Sequence, residues 1–196
     1  MERQAMKALT TEELLKVLKA ASSNKRNHAA ILLAVKHGMR ASEICKLKMT
    51  DLDMVNKQIT VRRLKGSLTT VQPLENIQGK PLLSELLVLN AWLKERVEWQ
   101  NRDGWVFPSQ KGQNLTRFGL HQMFQAVCEE AGIPKSKRHF HVLKHTLGFT
   151  LAEQNTSAEV IQQKLGHKNI SSSMVYSHPS QETACRIADA AFAQAF

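Results

Sequence analysis

Tyr176 is the only tyrosine in the chain, and two histidine-bearing segments precede it: His141-Val142-Leu143-Lys144-His145-Thr146 and Leu165-Gly166-His167. Far upstream, Arg40 stands in His37-Gly38-Met39-Arg40-Ala41-Ser42-Glu43, and Lys65 in Arg63-Leu64-Lys65-Gly66-Ser67. A phenol, imidazoles and several cations suit attack on a phosphodiester without a metal. Tyrosine can act as a covalent nucleophile once a base takes its proton. Cations neutralise the charge that builds on phosphorus in the transition state.

Each residue also has a plainer reading. His141 and Lys144 are three apart, so a helix puts them on one face, which is also how a solvated face looks. His141, His145 and His167 have the residue type of a zinc triad, but no glutamate stands near them in the metalloprotease arrangement. His145 is expected in the core, bonded to a backbone carbonyl. Lys65 at a turn is most simply a solvated lysine. Arg40 follows the glycine that ends a buried helix; Glu43 either orients its guanidinium or forms a surface ion pair of little worth. Tyr176 alone reads as a half-buried ring with its hydroxyl bonded.

The chain of 196 residues is long enough for one domain with a sizeable core. Its formal charge of +10 points to a polyanionic partner, most simply nucleic acid, the plainer alternative being a soluble basic protein with no such partner. No apolar run approaches the length of a membrane span, and the first residues have no apolar signal core. Cys45, Cys128 and Cys185 are scattered and odd in number, which fits reduced thiols in a cytoplasmic protein; none lies in a CxxC pair, so structural zinc has little support.

The elements that must position these groups follow from capping and periodicity. Thr10 and Glu13 have capping-box spacing ahead of Leu14, Leu15 and Leu18. Asn27 to His37 is apolar nearly all round, which predicts a buried helix ended by Gly38. A short helix over Ser42–Leu47 is expected, capped by Ser42. Gln58–Leu64 and Leu68–Leu74 are β-rich around the turn Lys65-Gly66-Ser67, giving a hairpin with Pro73 at an edge or strand end. Helices are then expected over about 82–97, 117–131, 140–154 and 158–165. The tail, 181–196, is apolar at helical spacing, which reads either as a last helix packed on its own domain or as a segment that docks into a neighbouring subunit. The fold class is therefore mainly α with a small antiparallel β-sheet (α+β), in a single domain over 1–196.

Read in order, these segments resemble the tyrosine recombinase, or phage integrase, family. The stretch Gly38–Leu47 with Asp51-Leu52-Asp53 resembles the family's first arginine box, and Lys65 lies in the hairpin that carries its catalytic lysine. His141–Thr146 resembles the His-x-x-Arg box, Leu165-Gly166-His167 the second histidine motif, and Ser173–His178 the nucleophile segment. Arg63-Leu64-Lys65, Thr69-Thr70, Pro73-Leu74 and Gly148-Phe149 look most like the short fimbrial phase-variation invertases, which lack a separate N-terminal core-binding domain. The chain's length fits that group and fits equally a trimmed fragment of a longer integrase. One departure matters: the family's second arginine is here Lys144, which keeps the charge but loses the planar fork that grips two phosphate oxygens.

The resemblance implies a catalytic-domain fold and a site of Tyr176, Arg40, Lys65, His141, Lys144 and His167, with no cofactor and no metal. It implies duplex DNA carrying a specific recombination site as substrate. It further implies a homo-tetramer on DNA, coupled by the tail, an accessory DNA-bending protein, and a nucleoid-associated place in the cytoplasm. Two competing functions share the chemistry or the fold: a type IB topoisomerase, and a DNA-binding accessory protein whose catalysis has weakened at Lys144.

Overall fold

The computed structural model describes residues 8–63, 67–99, 104–109 and 113–176, and the single positions 185, 189, 192 and 193. Lys65 and most of the 181–196 tail lie outside the described residues. Helix α1 (Thr11–Ala21) opens with the expected capping box: the Thr10 hydroxyl accepts from the Glu13 amide at 3.1 Å, and the Glu13 carboxylate accepts from the Thr10 amide at 2.7 Å. Helix α2 (Lys25–Lys36) is buried along its whole apolar run, His28 to Val35. It is the central helix because its sequence has no polar side to turn towards water. It packs on α1, α4 (Glu85–Arg96) and α6 (Val142–Glu153).

Between α2 and the sheet lies α3 (Ala41–Cys45). It starts at Ala41, so Arg40 rather than Ser42 occupies the cap position, and the Glu43 carboxylate accepts the Arg40 amide at 2.8 Å. Three antiparallel strands follow in the order β1 (Leu52–Asp53), β2 (Gln58–Val61), β3 (Thr70–Pro73). Leu52 faces Ile59, and Ile59 faces Gln72. The hairpin is present, and β1 adds to it; two residues are too few to show an alternating pattern. Pro73 sits on edge strand β3, where its missing N–H costs no ladder bond. Helix α4 begins at Glu85, later than its apolar residues suggest, because Pro81–Leu83 forms a 3₁₀ turn first.

The remaining helices are α5 (Arg117–Glu130), α6, α7 (Ala158–Leu165) and α8 (Ser171–Met174). Helix α6 joins two apolar clusters. Val142 and Leu143 belong to the main core with Trp92, Phe107 and Phe124. Leu147, Phe149, Leu151 and Ala152 pack instead against Ile161, Leu165 and Tyr176. The sequence-derived chemistry sits at this junction.

A polar clasp fixes the junction. His37 is fully buried; its Nδ1 lies 2.9 Å from Gln72 Oε1 and its Nε2 lies 2.6 Å from Glu85 Oε1. Burial alone would raise the pKa of Glu85, but the His37 bond and charge, with Lys36, outweigh it and hold the carboxyl below its ordinary range. Gln72 Nε2 also donates to the Lys164 carbonyl at 3.1 Å, tying the sheet to the end of α7. Among the described residues no helix is long and apolar enough to cross a membrane.

Candidate active site

Arg40, at the start of α3, is positioned by Glu43. Its Nη1 donates to Glu43 Oε1 at 3.1 Å, and its side chain remains 35% exposed. Glu43 is itself buried and shared: its other oxygen accepts from Arg63 Nη1 at 3.2 Å. Burial would raise the Glu43 pKa, but the Arg40 amide and the charges of Arg63, Lys144 and Arg40 hold it low and ionised. The Arg40 guanidinium is thus held on one side and open on the other, as an anion receptor must be.

Arg63, two residues past the end of β2, is a structural cation that sequence reasoning did not single out. It donates to the carbonyls of His37 (2.7 Å), Gly38 (2.8 Å) and Lys164 (3.1 Å). It therefore binds the arginine box, the hairpin and the end of α7 into one unit. The Leu68 amide reinforces this by donating to the Gly166 carbonyl at 3.2 Å. Arg63 and Leu68 bracket Lys65 in sequence, and both are anchored on the turn that carries His167. Gly166 ends α7 in the left-handed region at φ +64°. A Cβ there would come within 2.8 Å of Arg63 Nε and of the Leu68 carbonyl, so glycine is required for both conformation and space.

Lys144 is 2% exposed, and its Nζ donates to the Leu165 carbonyl at 2.9 Å. Burial, then the charges of Arg63 and Arg40, push its pKa down to about 7, against a smaller opposing effect from Glu43. The departure from arginine therefore changes more than shape. A guanidinium in this place stays charged at any working pH; this ammonium sits near half protonation at neutrality.

His167 follows Gly166, is 7% exposed, and pairs its Nδ1 with the buried Ser173 hydroxyl at 2.9 Å. That bond turns its ring parallel to Tyr176, with centroids 6.5 Å apart and planes 14° apart. Burial, then Lys144 and the two arginines, lower the His167 pKa to about 4. His141, at the cap of α6, has its outer face in solvent and its ring edge-on to His145, centroids 4.6 Å apart. Loss of water around the rest of the ring, then His145, Lys144 and Arg40, put its pKa at about 4 also. Both imidazoles are neutral at pH 7 and act as hydrogen-bonding groups rather than cations.

Tyr176 completes the cluster. Its ring packs edge-on to Phe149 at 5.1 Å and lies over Gly148, where a Cβ would stand 2.6 Å from the ring. Its hydroxyl is 3.1 Å from His145 Nδ1. Burial raises the phenol to about 12, and Arg40 only partly offsets that. His145 is half-buried and faces the phenol, which corrects its expected place in the core. The signal that could have located this contact is Gly148, a glycine inside a helix, which marks a close approach.

The structure thus gathers Arg40, His141, Lys144, His167 and Tyr176 at one junction; Lys65 lies outside the described residues. Among the described residues no group of three His, Cys, Asp or Glu side chains is arranged to hold a metal. Cys45 and Cys128 are buried, and loss of water raises each thiol to about 12. Beside Arg40 opens a groove lined by Ser42, Lys46, Asn114, Thr116 and Arg117, so three cations border it.

Known structures share this arrangement of elements. The XerA recombinase superposes with a TM-score of 0.76 at 25% identity over 92% of this chain, and the XerH site-specific recombinase bound to difH substrate with 0.74 at 25% identity over 94%. The chain spans 63% and 53% of those two longer chains. Fold and site together define the catalytic domain of a site-specific tyrosine recombinase. The chain belongs to the phage integrase family, whose model matches residues 5–183. It is 36% identical over 172 residues to the type 1 fimbriae regulatory protein FimB of Escherichia coli K12, covering 86% of this chain and 82% of FimB. FimE of the same strain is 34% identical over 173 residues. The tyrosine recombinase XerC of Bacillus pumilus is 33% identical over 163 residues, about half of its length. The expected likeness to the short fimbrial group stands.

Two measurements check this geometry. Gly148→Ala should lower the melting temperature by only a few degrees, since the helix-interior gain of up to about 1 kcal/mol offsets part of an overpacking cost of about 1–3 kcal/mol against the Tyr176 ring. The same variant should cut DNA cleavage at least about tenfold, because the tyrosine ring must move and small misplacements of reacting groups are costly. Calorimetry and a cleavage assay on one preparation read both effects. Separately, Lys144 loses its proton as pH rises through about 7, so cleavage at subsaturating DNA should decline above that pH. Lys144→Arg should shift the decline upward; identical pH profiles for both proteins would contradict the charge assignment.

Proposed function

We propose that this protein cleaves and rejoins duplex DNA at a specific site through a 3′-phosphotyrosyl intermediate. The observation that carries the reading is the setting of the chain's one tyrosine: its hydroxyl lies 3.1 Å from His145 Nδ1, its ring is parallel to that of neutral His167, and it feels the charge of Arg40, which also lines a groove with Lys46 and Arg117. Tyr176 Oη attacks phosphorus, the P–O5′ bond breaks, and the 5′-oxygen leaves as a hydroxyl. Rejoining reverses the step, with the bond's energy held in the tyrosyl ester.

Arg40 and Lys144 neutralise the non-bridging oxygens of the five-coordinate transition state. His167, held by Ser173, donates to one of those oxygens as a neutral imidazole. Lys65 supplies the proton to the departing 5′-oxygen, a role supported by the anchoring of Arg63 and Leu68 around it. His141 is an acid/base group at the mouth of the pocket. The groove past Lys46 and Arg117 accepts the DNA backbone, and positive surface of this kind makes binding strongly salt-dependent.

The reading extends to assembly. The likeness to the XerH site-specific recombinase bound to its difH substrate supports duplex DNA as the substrate here. Four copies on DNA, coupled by residues 181–196, a DNA-bending accessory protein and association with the nucleoid complete the proposal. The experiment is a nicked suicide substrate from which the cleaved strand diffuses away. Wild type should leave protein joined to DNA in detergent, and Tyr176→Phe should leave none; a covalent band that survives Tyr176→Phe overturns the nucleophile.

A further inference from the structure

We infer that His145 is a catalytic residue: it takes the proton from Tyr176 as the phenol attacks. The inference rests on the assignment of Tyr176 as nucleophile and deepens it. A phenol buried beside Phe149 and over Gly148 keeps its proton at neutral pH, so attack requires an acceptor within hydrogen-bond reach. His145 Nδ1, 3.1 Å from the hydroxyl, is in that position. The sequence pattern favours His141 for acid/base work, but His141 meets His145 rather than the phenol, its ring edge-on at 4.6 Å. His167 stacks its face on the Tyr176 ring and commits Nδ1 to Ser173, so its bonding edge is not directed at the hydroxyl.

The geometry suits the task on both sides. The partners are 31 positions apart in sequence and lie on different elements, so the contact forms only when the segment after α8 is docked on α6. With its own proton on Nε2, the His145 ring presents a lone pair at Nδ1. The Tyr176 O–H proton moves to Nδ1, the phenolate oxygen bonds to phosphorus, and the P–O5′ pair leaves with oxygen, which Lys65 protonates. On rejoining, the imidazolium returns the proton to the phenolic oxygen. Among the described residues the rings against His145 are those of His141, on its own helix, and of Tyr176, and the charge of Arg40 acts on both.

The test separates the base from the acid and from the fold. Single-turnover cleavage of a nicked suicide substrate is measured for wild type, His145→Ala and His145→Asn. The measurement is repeated on DNA with a 5′-bridging phosphorothiolate, whose sulfur leaves without a proton. Removal of a general base should slow both variants by about 10²–10⁴. The loss should persist on the sulfur substrate, DNA affinity should change less than about threefold, and added imidazole should restore part of the His145→Ala rate. Rates in both variants within about threefold of wild type would overturn the inference, as would full recovery on the sulfur substrate. Were Tyr176→Phe to retain the covalent product in the same assay, the parent reading would fail instead.

Discussion

The site depends on one buried carboxylate. Glu43 accepts the amide of Arg40 and bonds both its guanidinium and that of Arg63. A lone charge in this interior would be expensive, and a lone arginine equally so; together they satisfy one another. Because Arg63 also holds three carbonyls, from the end of α2 and from α7, the carboxylate sets the distance between the arginine box and the second histidine motif. The polar clasp of His37, Gln72 and Glu85 carries the same connection across the sheet to α4. The main core makes the domain stable; these few polar contacts decide where the cations stand.

The tyrosine is held by different physics. It belongs to the smaller apolar cluster, its ring confined by Phe149, Gly148 and the face of His167. Confinement orients the hydroxyl and also raises the energy of the phenolate. Arg40 lowers that energy in part, so Tyr176 stays a protonated phenol beside His145, as the proposed roles require. Lys144 adds a second tension: buried among cations, it keeps its charge less firmly than an arginine would. Phosphate oxygens arriving in the pocket would favour the protonated lysine, so substrate binding and full charge reinforce one another.

Much of this was legible before any coordinates. Thr10 with Glu13 marked α1, the unbroken apolar run marked α2 as the central helix, and Pro73 marked a strand at the sheet's edge. The ordered motifs named Arg40, His141, Lys144, His167 and Tyr176, and the fold brings those five together. What was missed was tertiary. Arg63 and Lys144 belong to types that are almost always exposed, so nothing local revealed their burial. The phenol that His145 meets and the second arginine that Glu43 bonds come from distant segments. Ser42 looked like a helix cap, but the first turn closes around Arg40 because Glu43 is pinned by Arg63. Strand β1 is too short for periodicity to register.

The comparisons and the geometry converge on one chemistry. FimB-like identity over most of the chain fixes the family, and a phenol, imidazoles and cations stand together where the proposal puts the working site. The most direct measurement is to trap the covalent product, digest it with protease and nuclease, and locate the nucleotide by mass spectrometry. The account predicts a single adduct, on the peptide containing Tyr176, joined through a 3′-phosphate. An adduct on any other residue, or a linkage through a 5′-phosphate, would contradict it.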